Sequence, residues 1–141
     1  AEARGHGIAC HHELAHPLPP VLADAIQIEQ VMLNLVRNGF DAMAETEPGN
    51  RHLTLKTSLT DDHSVLLAVR DTGHGFRAQD VHQVFQPFFT TKPQGLGMGL
   101  SISRSIIETH GGSLCGTPNP GRGATFLLTL PIHNEAKPQP K

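Results

Sequence analysis

Cysteine, long apolar runs and blocks of like charge are all scarce in this 141-residue chain, and each shortage excludes something. The two cysteines, Cys10 and Cys115, stand far apart with no CxxC spacing and no signal peptide before them, which reads as reduced cytosolic thiols and a cytoplasmic protein. The longest apolar stretches, such as 65–69, have only the length of a strand, so nothing here crosses a bilayer. Any membrane-bound part of the protein is expected outside this chain. Formal net charge is −2 with no run of lysines or arginines, which argues against a nucleic-acid partner or direct membrane contact. What is present is 38% apolar and 17% charged residues, a globular composition at a length that suits one domain with a real core. The ten histidines are scattered and form no tag.

The order of patterns along the chain predicts a two-layer α/β sandwich, a mixed sheet of about five strands with about three helices on one face. Residues 1–7 are small and polar and read as a frayed entrance, 8–132 as the domain, and 133–141 as a disordered, proline-containing tail. Residues 8–22 hold a first strand and then a proline-broken loop. Asp24 and Gln27 spell an N-cap with its capping-box partner, opening a helix over about 25–45. Its stripe is Ile28, Met32, Leu35 and Ala42, widened by Leu33, Val36, Phe40 and Met43. Alternation predicts a strand through Leu53, Leu55, Thr57 and Leu59, and a more fully buried one returns over 65–69. A short helical patch near 79–85 follows, then a Pro-, Thr- and Gly-rich loop over 87–97. A second helix over 98–110 carries Ile102, Ile106 and Ile107 and stops at Gly111. Two closing strands occupy 113–117 and 124–130.

Three words in this frame bear chemistry: NLVRNGFDAM (34–43), DTGHGF (71–76) and GLGMGL (95–100). Asn34, Asn38 and Asp41 recur at i, i+4 and i+7 and share one helix face. An amide oxygen there suits Mg²⁺, which takes few protein ligands, but the same spacing is equally that of a solvated face. Asp71 closes a strand and enters a loop with Gly73 and Gly75. A carboxylate so placed accepts from the exocyclic amino group of adenine and repels the carbonyl of guanine; taken alone, it also reads as an ordinary Asp-Thr-Gly turn. Gly95, Gly97 and Gly99 precede a helix and leave free N–H groups for an anion, or else form a loop with no ligand. No GxxxxGK[ST] occurs and no GxGxxG follows a strand, so neither a P-loop nor a dinucleotide fold is indicated.

Together the words resemble the catalytic, ATP-binding domain of sensor histidine kinases, within the GHKL (Bergerat-fold) superfamily. QVMLNLVRNGFDAM is similar to that family's N box, DTGHGF to its G1 box, VFQPFFTTK to its F box, GLGMGLSIS to its G2 box, and GRGATFLLTLP to its closing glycine motif. The resemblance implies that Asn38 holds Mg²⁺, that Asp71 binds the adenine amino group within a pocket shaped by Gly73 and Gly75, and that Thr125 joins its water network. It implies Asn34 on the phosphate side, with Asp41, Thr91 and Leu100 in the nucleotide site. Gly95, Gly97 and Gly99 would frame the phosphates, Phe85, Phe88 and Phe89 anchor an ATP lid, and Lys92 lie near the γ-phosphate. The lid between Lys92 and Gly95 is very short, most like the nitrogen- and oxygen-sensing kinases. Gly39 departs from the family's usual alanine, at about 1 kcal/mol of helix propensity, and Ala124 from a frequent threonine.

The implied activity is protein-histidine kinase: MgATP bound here, its γ-phosphate passed to a histidine on a separate dimerisation domain, and a response regulator downstream. The isolated domain is expected to be monomeric with little autophosphorylation, and its parent a homodimer. ATP hydrolysis and non-catalytic ATP sensing are the alternatives. In gyrase-type members a glutamate stands at the position of Asn34, and an amide cannot take a proton from water. HELAH (12–16) spells the zinc-protease HExxH, but Pro17 follows at once and the motif requires a helix. It also mimics a phosphoacceptor box, yet His12 lies too close to Asn38 for two helices to intervene.

Overall fold

The computed structural model describes residues 7–15, 21, 23–80, 83–85 and 99–132. The remaining stretches hold the 133–141 tail, most of the entrance and most of the lid. Five strands form one sheet: β1 (Ala9–Glu13), β2 (His52–Leu59), β3 (Ser64–Asp71), β4 (Ser113–Pro118) and β5 (Ala124–Pro131), in spatial order β1-β2-β3-β5-β4. β1 runs parallel to β2 and the other neighbours are antiparallel, so the sheet is mixed. Helices α1 (Ala25–Ala42) and α2 (Gly99–Thr109) pack together on one face. The patch expected to be helical near 79–85 is instead two 3₁₀ turns, Ala78–Asp80 and Gln83–Phe85. Two α-helices, not about three, are therefore found among the described residues. None of them is long and apolar enough to cross a membrane.

Asp24 caps α1, its Oδ1 accepting from the Gln27 N–H at 3.1 Å. The reciprocal half of the expected capping box is taken by another residue. The Asp24 N–H donates to His110 Nε2 at 3.0 Å, while His110 Nδ1 faces the Ile106 carbonyl at 2.8 Å. A neutral imidazole protonated on Nδ1 satisfies both contacts and ties the end of α2 to the start of α1. Asp24→Ala should therefore lower stability by about 1 kcal/mol, read as a lower urea midpoint at unchanged slope.

At its other end α1 stops at Ala42, short of the expected 45, because its last carbonyls are claimed from elsewhere. Ala42 O accepts from the His74 N–H at 3.0 Å. Arg51 then holds the turn that follows, donating to Ala44 O at 2.9 Å and Thr46 O at 2.7 Å. Helix α2 ends in a Schellman pair, Gly112 N–H to Ile107 O and Gly111 N–H to Glu108 O, with Gly111 at φ +81°.

The core lies between sheet and helices. Val31, Leu35 and Met43 from the α1 segment and Ile107 from α2 meet Leu53, Val69, Leu114 and Phe126. Three expected stripe residues miss it: Met32 is half-buried and outside the core cluster, Leu33 is 45% exposed and Ile102 39% exposed. At about 100° per residue, Leu33 lies about 200° round the helix from buried Val31, and Ile102 about 140° from buried Ile107. Strand β3 is less enclosed than expected, since only Val69 and Asp71 in it are fully buried. His12 and Glu13 lie on β1, a strand exposed along its whole length. The zinc-protease reading thus lacks its helix, and the first-strand reading of this segment holds.

Candidate functional site

Cross-strand register builds the site at one end of the sheet. Leu53 pairs with Asp71, and Arg70 with Thr125, so Asp71 lies opposite Ala124 and its side chain enters the helix-covered face. Asp71 is only 2% exposed. Its Oδ1 accepts from the Gly73 N–H at 2.9 Å and the Ala124 N–H at 3.4 Å. Its Oδ2 lies on the side of Gly39 in α1, 4.0 Å from where a β-carbon on that glycine would sit. Among the described residues no hydrogen bond reaches Oδ2. No fully enclosed side-chain oxygen there lacks a partner, so Oδ2 keeps contact with the space before it. Burial pushes the Asp71 pKa above the ordinary aspartate value, opposed by the two backbone N–H donors and by nearby His74.

The loop after Asp71 is held from several sides. Gly73 passes so close to α1 that a β-carbon would lie 2.3 Å from Ala42 O, and Gly75 abuts Gly123. Arg122 donates from Nε to Gly73 O at 3.3 Å and from Nη2 to Thr46 Oγ1 at 3.1 Å. Thr72 Oγ1 donates to Asn50 O at 2.5 Å and accepts the His52 N–H at 3.0 Å. Gly39 gives Leu53 room, because a β-carbon there would stand 2.9 Å from Leu53 Cδ1.

Asn34 and Asn38 are half-buried one turn apart on α1, and Asp41 is exposed a further turn on. The Asn34 Nδ2 donates to Ser103 Oγ on α2 at 3.2 Å, and the Asn34 side chain lies against Gly99. No hydrogen bond to the Asn38 amide is seen among the described residues, which leaves an oxygen donor suited to a hard cation such as Mg²⁺. Leu100 packs against the core. Phe85 is buried, edge-on to Phe126 at 6.0 Å, with the Arg104 guanidinium 4.8 Å from its ring centre.

The structure brings Asn34 to Gly99 and sets Asp71, Gly73 and Gly75 together, but it separates Thr125 from them. Thr125 shares the opposite sheet face with Arg70, and its hydroxyl donates to Asn119 Oδ1 at 2.5 Å. The residue reaching Asp71 is Ala124, through its backbone N–H, a contact no residue type could announce. Ser103 is a second omission, one of three serines on an amphipathic helix and distinguished in the sequence only by following Gly99 by one turn. Phe88, Phe89, Thr91, Lys92, Gly95 and Gly97 lie outside the described residues.

A buried carboxylate with one locked and one free oxygen can receive an N–H of a flat heterocycle. Two amides beside a glycine-fronted helix suit a cation and its anion. On a two-layer sandwich with a mixed sheet, this arrangement defines a nucleotide-binding domain of the Bergerat class. Residues 23–134 match the histidine kinase-, DNA gyrase B- and HSP90-like ATPases, and the chain belongs to that family.

Among known proteins, the chain is 44% identical over 128 residues to the sensor protein TdiS of Thauera aromatica, covering 90% of this chain and 23% of TdiS. It is 44% identical over 135 residues to the sensor protein FixL of Bradyrhizobium diazoefficiens, covering 96% of this chain and 26% of FixL. The chain thus spans about a quarter of the length of these curated relatives. The solved catalytic domain of histidine kinase ThkA matches with TM-score 0.80 at 33% identity, over 93% of this chain and 83% of that one. ThkA in complex with the response regulator protein TrrA matches with TM-score 0.77 at 30% identity, over 94% of this chain and 36% of that one. The chain is an ATP-binding domain homologous to those of sensor histidine kinases.

Proposed function

We propose that this domain binds MgATP and passes the γ-phosphate to a histidine on a separate dimerisation domain of its parent protein, with a response regulator downstream. The observation carrying this reading is the Asp71 carboxylate, held by backbone through Oδ1 and open through Oδ2. Oδ2 receives the adenine amino group, and Gly73 and Gly75 let the backbone approach the ring. Asn38 holds Mg²⁺, and Asp41 and Leu100 belong to the same nucleotide site. When bound, the ion neutralises phosphate charge as the γ-phosphoryl group leaves. Asn34 is an amide where a hydrolase needs a base, so it activates no water. Gly95, Gly97 and Gly99 frame the phosphates, Phe85, Phe89 and Thr91 support the lid, and Lys92 meets the γ-phosphate. Catalysis is then mainly positioning of the γ-phosphate against the incoming imidazole. The domain is cytoplasmic and monomeric alone.

The test supplies γ-labelled ATP and Mg²⁺ to the domain, with and without the histidine-bearing domain of the parent protein. Acid-labile, base-stable label on that second domain is expected only in the mixture. Free labelled phosphate from the ATP-binding domain alone would instead identify a hydrolase. ATP bound with neither product would identify a sensing module.

A further inference from the structure

Two imidazoles meet on the sheet face opposite the one that Asp71 enters. His11 is exposed on β1 and His52 is half-buried at the start of β2, with His11 Nε2 and His52 Nδ1 3.0 Å apart. Register puts them there. Ala9 lies opposite His52 and Cys10 opposite Leu53, so His11 and His52 are diagonal neighbours on the helix-free face, while Leu53 turns into the core. Backbone fixes the spacing: the Ala9 N–H donates to Arg51 O at 2.9 Å and the His52 N–H to Thr72 Oγ1 at 3.0 Å. The ring centres are 5.3 Å apart and the ring planes 23° from parallel. That separation is the nitrogen distance plus the two ring radii, so the rings meet edge to edge, nitrogen facing nitrogen.

Nitrogens so placed have room between them for one proton or for one metal ion. A dication about 2.0–2.1 Å from each imidazole nitrogen sets the two about 2.9 Å apart at a right angle and about 3.4 Å apart at the tetrahedral angle. The observed 3.0 Å lies in that interval, so capture requires only that the rings turn until both lone pairs converge, and the exposed His11 ring can turn. The proton shared between the rings moves to the far nitrogen of its own ring, and both imidazoles bind in the neutral form. We propose that His11 and His52 chelate a borderline transition-metal dication, of the class of Ni²⁺, Cu²⁺ and Zn²⁺, at the edge of the sheet. Imidazole suits these ions, whereas Mg²⁺ takes oxygen ligands, so the ion that accompanies ATP does not compete for the pair. Cys10 and His12 take the other side of β1 by alternation, and the described residues hold no cluster of three such ligands. Water therefore fills the remaining positions around the ion.

The test titrates paramagnetic Ni²⁺ into the 141-residue chain without nucleotide and follows each backbone amide by NMR, so its outcome is independent of the MgATP reading. Ten histidines give a background of single-imidazole binding, which is why the readout must be resolved by residue. Ni²⁺ below one equivalent should broaden the amides of 9–13 and 51–55 first, and Mg²⁺ should leave them unchanged. His11→Gln and His52→Gln should each weaken this binding at least about tenfold, because a second ligand already held in place acts at high effective concentration. The double variant should bind no more weakly than either single one, the signature of a chelate. The same spectra show whether each variant is folded. Broadening that begins elsewhere or spreads evenly over the histidines overturns the proposal. So does a variant that keeps wild-type affinity at 9–13 and 51–55, or losses that add in the double variant, which would mean two independent imidazoles.

Discussion

Asp71→Asn should weaken ATP binding about tenfold to a hundredfold while leaving the unliganded domain at least as stable as before. The range reflects loss of a hydrogen bond to a charged acceptor, about 1.5–3 kcal/mol. Asparagine keeps the carboxylate's shape, and its oxygen can still accept from the Gly73 and Ala124 N–H groups. Its Nδ2 then replaces Oδ2 and meets the adenine amino group donor to donor. Turning the amide over restores an acceptor toward adenine but sets Nδ2 against the two backbone donors, so neither orientation rescues binding. A guanine carbonyl would accept from Nδ2, so the preference for ATP over GTP should narrow in the same variant.

Stability moves the other way, for an electrostatic reason. Burial raises the Asp71 pKa in the folded protein above that of the unfolded chain, about 3.9. Between those two values the folded state holds more protons than the unfolded one. Stability therefore falls as pH rises through that window and levels off above the folded value. The charge is a standing penalty at neutral pH, and asparagine removes it. Urea melts across the acid range should show the variant's advantage absent below the ordinary aspartate pKa and growing to a plateau above the raised one. Wild-type ATP affinity in Asp71→Asn would sink the site assignment, whatever the melts show.

What could be read in advance follows from whether a signal is local. The cap at Asp24, the extent of β2 and the carboxylate ending β3 depend on neighbours in the chain, and the structure has each where the pattern puts it, although the alternation of β2 buries only Leu53 fully and leaves Leu59 53% exposed at the strand's end. The end of α1 does not, because the N–H that takes the Ala42 carbonyl comes from His74, thirty-two positions on. Nor does the second half of the Asp24 cap, which comes from His110. Thr125 and Ala124 differ by one position along β5, and only the register with β3 decides which of them faces Asp71. Leu33 and Ile102 fit an apolar stripe by type, but a stripe widened by type alone takes in residues on the far side of the helix. The Asn34–Ser103 contact joins two helices 69 positions apart, a distance over which periodicity says nothing.

Gly123→Ala should be among the most damaging of the small substitutions in the domain, lowering stability by about 2–5 kcal/mol. Gly123 sits at φ +91°, where an alanine is strained by about 1–2 kcal/mol. Its added β-carbon would lie 2.1 Å from Asp71 O and 2.9 Å from the Thr72 α-carbon, and backbone atoms cannot swing aside. Overpacking of that kind adds about 1–3 kcal/mol, against a total stability of about 5–15 kcal/mol. Gly39 offers the contrast. The one clash of a β-carbon there is with the tip of Leu53 at 2.9 Å, its contacts with Asp71 being ordinary at 3.7 and 4.0 Å, and alanine gains about 1 kcal/mol of helix propensity, so the two effects nearly offset. Gly49, with nothing within 4 Å, should tolerate alanine without loss. Urea midpoints at constant slope would rank the three, and a Gly123→Ala midpoint equal to wild type would mean the β3–β5 contact is looser than the structure has it. Because the strand opposite Gly123 ends in Asp71, the damage should reach the ligand too. Moving the Asp71 carbonyl shifts the Ala124 N–H from Oδ1, freeing the carboxylate to turn, and ATP affinity should fall in the Gly123 variant but not in the Gly49 one.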